Sequence, residues 1–200
     1  MNSKGFLLVI LLFTLNSCKE NTDPQQKVQP AEQAIDTREY LKKGQQIAMQ
    51  TQQVLGTTLK QKIAEGGPEN AIAFCNLRAL PITDSLAKVH HARIRRVTNK
   101  TRNGVNRANS EALSIMKRYK DQLEKGETLE GVVYVKNDHI QTYYPIMTAH
   151  LCMQCHGIPV TDIKAGTMSS ILERYPADRA KGYTPGELRG LWSIQFEKQP

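Results

Sequence analysis

The chain reads as an α+β domain on three observations. Residues 36–65 repeat apolar positions at helical spacing, residues 131–146 read as strand, turn and strand, and a last strand-like run, Gly190 to Phe196, comes long after the helices. Helices gathered early and antiparallel strands late predict helices packed against an antiparallel sheet.

At the N-terminus, Lys4 precedes an apolar run from Phe6 to Phe13 that is too short to span a bilayer, and Leu15-Asn16-Ser17-Cys18 follows it. Residues 1–17 therefore read as a lipoprotein signal peptide. The expectation is an exported bacterial lipoprotein, on the periplasmic side or at the outer membrane, held to the lipid membrane by an acylated Cys18. Each buried acyl methylene contributes about 0.8 kcal/mol, so several chains on one residue give firm attachment. Residues 18–35 are rich in Gln, Pro, Glu, Asn and Lys and nearly lack large apolar side chains, which predicts a disordered tether. Residues 36–200 suffice for one domain of ordinary size.

In that domain Tyr40, Leu41, Ile47, Ala48, Val54, Leu55, Leu59 and Ile63 share one helical face, and Gly66-Gly67-Pro68 stops the helix. Glu69 to Leu80 lies between two prolines and predicts a short helix with Phe74 and Cys75 facing inward. Ile82 to Val89 predicts another. Ala92 to Thr98 is β-branched and charged, a strand, and Arg102-Asn103-Gly104 is a turn. Asn109 or Ser110 caps a helix to about Leu123, with Ala112, Leu113, Met116 and Tyr119 on one side. Gly131 to Val135, Asn137-Asp138 and Ile140 to Ile146 form a hairpin. A helix from Ala165 to Arg174 and the strand Gly190 to Phe196 close the chain.

Directly after the hairpin stands Cys152-Met153-Gln154-Cys155-His156, the C-x-x-C-H attachment site of a c-type haem. Thiols three residues apart on one helical turn point the same way and can each add to one vinyl group, with His156 as proximal ligand. One such motif implies one haem c, with its iron, per chain. A zinc or redox C-x-x-C is the alternative, but zinc needs further ligands and only His150 is close. Small cytochromes c are all-helical with the motif near the N-terminus, and four-helix cytochromes carry it on the last helix. The hairpin and final strand fit neither.

The chain carries a net charge of +8, of which the signal peptide accounts only for Lys4. That favours acidic partners, among them a redox partner protein. The basic run Arg93, Arg95, Arg96, Lys100, Arg102 and Arg107 would suggest nucleic acid in a cytosolic protein. In an exported one it reads either as a solvated face or as arginines that neutralise haem propionates, and nucleic acid is excluded. Cys75 is left over once Cys18 takes lipid and Cys152 and Cys155 take haem. From composition it reads as a buried, small apolar residue.

These motifs, in this order, resemble the PAS-like single c-haem domains found as free-standing exported proteins and as sensor portions of bacterial signalling proteins. The resemblance spans roughly residues 38–197. It rests on Ala71-Ile72-Ala73-Phe74-Cys75-Asn76, on Ile94-Arg95-Arg96-Val97-Thr98 with Arg102-Asn103, on Cys152 to Gly157, and on Tyr175-Pro176-x-Asp178-x-Ala180-x-Gly182-Tyr183-x-x-Gly186-x-x-Arg189-Gly190. It departs from the family at Gly104-Val105-Asn106, where Pro-Ala-Asn is usual.

The resemblance implies a five-stranded antiparallel PAS-like sheet with long N-terminal helices and a haem between them. It also implies Cys75 as the distal iron ligand, with Met147, His150, Met153 or an open sixth position as rivals. Met147, Met153 and Met168 otherwise read as core filler, and His90, His91 and His139 as surface or turn residues. The function expected is a lipid-anchored monohaem cytochrome in low-potential electron transfer. A haem-based redox or gas sensor, binding a small gas ligand and acting through a partner, is the alternative. A peroxidase-type enzyme is the third, and a sixth iron ligand argues against it. PAS-like domains pair through N-terminal helices, so residues 36–65 are the expected face of any homodimer.

Overall fold

A computed structural model describes residues 35–198. The signal peptide, Cys18 and the tether up to residue 34 lie outside the described residues. Asp36 opens the first helix, α1 (Thr37–Val89), by accepting from the Arg38 amide at 2.9 Å. This helix has two arms that meet at Gly66 and Gly67. Gly67, at φ 73° and ψ −177°, occupies backbone space open to glycine alone, and Pro68 then starts the second arm with its ring-fixed φ.

The two short helices expected after Pro68 are a single arm running through Pro81. Pro81 lies on the solvent side with Leu77, one turn earlier, which is 70% exposed. The Leu77 carbonyl that loses its helical donor there can therefore bond to water.

The strands β1 (Arg93–Val97), β2 (Val132–Val135), β3 (His139–Met147) and β4 (Leu188–Glu197) form one antiparallel sheet in the order β1-β4-β3-β2. The sheet therefore has four strands among the described residues, not five. After β1, Thr98 makes only an isolated bridge to Arg107. Asn103 caps a 3-10 turn over Gly104–Asn106, which carries the chain away before a ladder can form. The expected hairpin is present, with Val135 paired to Ile140.

Each face of the sheet buries its own core. The first arm of α1 lays Ile47 and Ala48 on Ile94, Ile140, Trp192, Ile194 and Phe196. Gly44 lets the arm approach so closely that a Cβ there would stand 2.5 Å from the Tyr144 hydroxyl, which donates to the Leu41 carbonyl at 2.6 Å. On the other face α2 (Ser110–Glu124), capped by Asn109, packs Ala112, Ile115, Met116 and Tyr119 on Val97, Tyr143 and Leu191. A third, smaller cluster joins the second arm of α1 to α4 (Ala165–Arg174) through Ile72, Ile163 and Ile171. Among the described residues no helix is long and apolar enough to cross a membrane.

Candidate functional site

The site grows from the end of β3. Thr148 is buried; its hydroxyl donates to the Thr184 carbonyl (2.6 Å) and accepts from the Glu187 amide (2.9 Å), pinning the strand end to the loop that leads into β4. A 3-10 turn over His150–Cys152 then runs into the one-turn helix α3 (Met153–His156). Cys152 and Cys155 are therefore one turn apart, and both are free thiols. Cys155 packs on the Ile72, Ile163 and Ile171 cluster, and burial pushes its thiol up to about 11.

His156 is fixed at both backbone and ring. Its carbonyl accepts from the Tyr183 amide at 3.0 Å, that of Gly157 accepts from Gly182 at 2.9 Å, and the ring Nδ1 lies 2.7 Å from the Ala180 carbonyl. A carbonyl can only accept, so Nδ1 carries the proton and Nε2 keeps its lone pair. Burial, with the charges of Arg102 and Arg189, holds the ring pKa well below the usual histidine range despite the bond to Ala180. The imidazole is thus neutral at pH 7 and has the form that binds metals.

Arg102 ties this segment together. Its Nη2 donates to the Cys155 carbonyl (2.5 Å), the Ala180 carbonyl (3.3 Å) and Asp178 (3.3 Å), while Nε donates to Asp178 at 3.2 Å. The Asp178 side chain is fully buried and also accepts from Lys181 (3.1 Å) and the Ala180 amide (2.9 Å). Arg96, two residues along β1 from Ile94 and so on the same α1 face, interacts through charge with Cys75, Tyr175 and Arg102. Arg96 is solvent-accessible, yet so far inside the fold that desolvation lowers its pKa. Together with Cys75, Tyr175 and Arg102 it borders a partly open neighbourhood, the recess. Cys75 and His156 are half-buried in the same way and share Arg96 and Arg102 as charged neighbours. Burial raises the Cys75 thiol, and the two arginines oppose it.

The recess is short of negative charge. Arg96, Arg102 and Arg189 gather here, and the carboxylates nearby are already engaged: Asp178 by Arg102 and Lys181, and Glu69, whose charge reaches Cys155, by the Thr167 hydroxyl. Arg189 is buried and donates through Nη1 to Thr98 (3.1 Å) and the Lys100 carbonyl (3.2 Å), while its Nε and the neighbouring Tyr183 hydroxyl have no partner. Two orphaned polar atoms and surplus guanidinium charge suit an anionic group, and free thiols beside a neutral imidazole suit a covalently attached metal cofactor. The residues present fit the group that C-x-x-C-H implies.

Sequence expectations are sorted unevenly by this geometry. Cys75, Cys152, Cys155 and His156 lie in one neighbourhood. Met153 is buried and Met168 is partly buried in the third cluster, as filler. Met147 is not filler: it is 38% exposed and lines a groove of about 910 Å³ between β3 and the first arm of α1, because it follows the register shift that ends β3. His150 is exposed, His90 and His91 form the turn after α1, and His139 opens β3. The basic run divides: Arg96 and Arg102 line the recess, whereas Arg93, Arg95 and Arg107 lie on the opposite side of the sheet. The roles of Asp178 and Arg189 come from contacts across more than 70 residues, which no local pattern encodes, and that of Tyr183 from its place beside His156 and Arg189.

Comparison with known proteins agrees with this architecture. A crystal structure of the cyanobacterial heme-protein Tll0287 superposes with a TM-score of 0.56 over 81% of this chain and 94% of that one, at 19% sequence identity. That likeness establishes the shared fold. No curated protein matches the sequence. The model of the Tll0287-like family matches residues 20–196, nearly the whole chain, and the protein belongs to that family.

Proposed function

We propose that this protein is an exported, lipid-anchored monohaem c-type cytochrome that carries electrons at low potential. The observation that carries the reading is the arginine-lined recess in which His156, its Nδ1 proton committed to Ala180, shares its surroundings with the free thiols of Cys155 and Cys75. Likeness to a heme-protein of the same fold supports the cofactor class. In this reading Cys152 and Cys155 would attach one haem, His156 Nε2 and Cys75 would supply the protein's ligands to its iron, and Cys18 would hold the lipid. When bound, the haem supplies a one-electron ferric–ferrous couple.

The chain's own residues shape that couple. The Ala180 carbonyl orients His156 and makes its free nitrogen a better donor. Arg102 locks the α3 segment to the 178–180 loop, so the imidazole and its carbonyl partner hold one geometry. Arg96, and Arg189 through its unpartnered Nε, would supply positive charge to the haem carboxylates. As a thiolate, Cys75 would add negative charge at the metal, which favours the oxidised state and a lower potential. The basic surface steers an acidic electron partner.

Absorption and EPR spectra of the haem-loaded protein, beside Cys75→Ala, test the assignment. The expected result is a low-spin ferric thiolate signature in the wild type that the variant loses, with the haem still covalently bound in both. Identical spectra would remove Cys75 from the iron. Carbon monoxide binding to the reduced wild-type protein would turn the reading towards ligand sensing.

A further inference from the structure

β1 carries arginines on both of its faces. Ile94 and Arg96 point towards α1 and the recess, while Arg93 and Arg95 point to the other side, where α2 covers only part of the sheet. There Arg93 and Arg95 pair across β4 with Gln195 and Ser193, and Arg107 enters from the bridge beside Thr98. Together they line a pocket of about 200 Å³. Its floor is polar: Gln141 is buried and its amide donates to Ser193 Oγ at 3.1 Å. Its rim holds Asn109, the cap residue of the 15-residue α2, so the positive end of that helix faces the same space.

None of the residues lining this pocket is acidic, and among the described residues none of the three arginines pairs with a carboxylate. Glu111, in the first turn of α2, is engaged by Lys136 and by the Tyr143 hydroxyl, which donates at 3.0 Å. Arg95 is held in place by donation to the Val105 carbonyl at 2.6 Å, which fixes one edge of its guanidinium and leaves other N–H groups available. Three like charges gathered over a concave polar floor repel one another, and a multivalent anion relieves that repulsion. A volume of about 200 Å³ is below the roughly 300 Å³ at which pockets for drug-sized ligands begin.

We propose that Arg93, Arg95 and Arg107, over the Gln141–Ser193 floor, form a binding site for a small multivalent oxyanion, a phosphate or a polycarboxylate. The guanidinium fork matches both chemistries through paired N–H···O bonds. The site is separate from the recess and does not depend on the haem reading.

The test is titration of inorganic phosphate and, separately, citrate into the ¹⁵N-labelled protein at constant ionic strength, followed by amide chemical shifts. Saturable shifts should centre on β1, on Ser193 and on the start of α2. Arg93→Gln, whose side chain makes no hydrogen bond among the described residues, should weaken binding at least tenfold with an otherwise unchanged spectrum. Arg93→Lys should restore only part of it. Arg78→Gln, on the exposed side of α1, should leave it unchanged. Stronger response to phosphate or to citrate identifies the anion class. Absence of saturable shifts with both probes, or equal weakening by Arg78→Gln, overturns the proposal.

Discussion

At the residue scale, the most consequential contact is the buried pair Arg102–Asp178. Burial by itself would raise the Asp178 pKa, but the Arg102 charge and the hydrogen bonds from Arg102, Ala180 and Lys181 outweigh it and leave it lowered. A carboxylate whose folded pKa lies below its unfolded value, near 3.9, stabilises the fold fully above about pH 4. That contribution is lost as pH falls through the folded value. Asp178→Asn should therefore flatten the acid limb of stability against pH, measured by urea denaturation between about pH 5 and 2.5. Removing one partner of a buried pair costs about 3–5 kcal/mol, and Arg102→Ala should lose an amount of that order at pH 7 in the same assay. Asp178 was visible in the sequence only as one letter of a motif. Its meaning depends on Arg102, which is 76 residues away.

At the element scale, the break in α1 decides where Cys75 goes. The second arm must leave the direction of the first for Ile72 to reach Ile163 and Ile171 while Ile47 and Ala48 stay on the sheet. Glu69, two residues past Gly67, then accepts from the Thr167 hydroxyl at 2.7 Å and ties the second arm to α4. Gly67→Ala places a Cβ in a backbone region essentially closed to other residues, at a cost of about 1–3 kcal/mol. The expected outcome is a lower urea midpoint together with loss of amide protection around residues 69–75 in hydrogen exchange. The stop signal Gly66-Gly67-Pro68 was legible, because glycine and proline act locally. Helix continuation through Pro81 was not, because it depends on which side of the helix faces water.

At the scale of the whole molecule, stability and cofactor chemistry are separable. The two large cores on either face of the sheet contain no residue of the C-x-x-C-H segment, whereas the small third cluster includes Cys155. The double variant Cys152→Ala, Cys155→Ala should therefore lose covalent haem yet keep its sheet. Near-ultraviolet circular dichroism of Trp192, which is buried and donates to Gln52 at 3.2 Å, reports on that directly. Collapse of the Trp192 signal in the variant would show instead that the attachment segment supports the sheet.

The α+β class, the Asn109 cap of α2, the β2–β3 hairpin and the C-x-x-C-H segment were legible in the amino-acid sequence. Each is written in residues close together in the chain, where periodicity, turn chemistry and thiol spacing act without distant partners. Tertiary structure alone decided that the sheet has four strands and that the basic run splits between two faces of β1. It also decided that Ala180, Asp178 and Arg189 meet His156 and Arg102. Strand alternation sends neighbouring arginines to opposite sides, and only the packing of α1 on one side and α2 on the other determines which of them meet the recess.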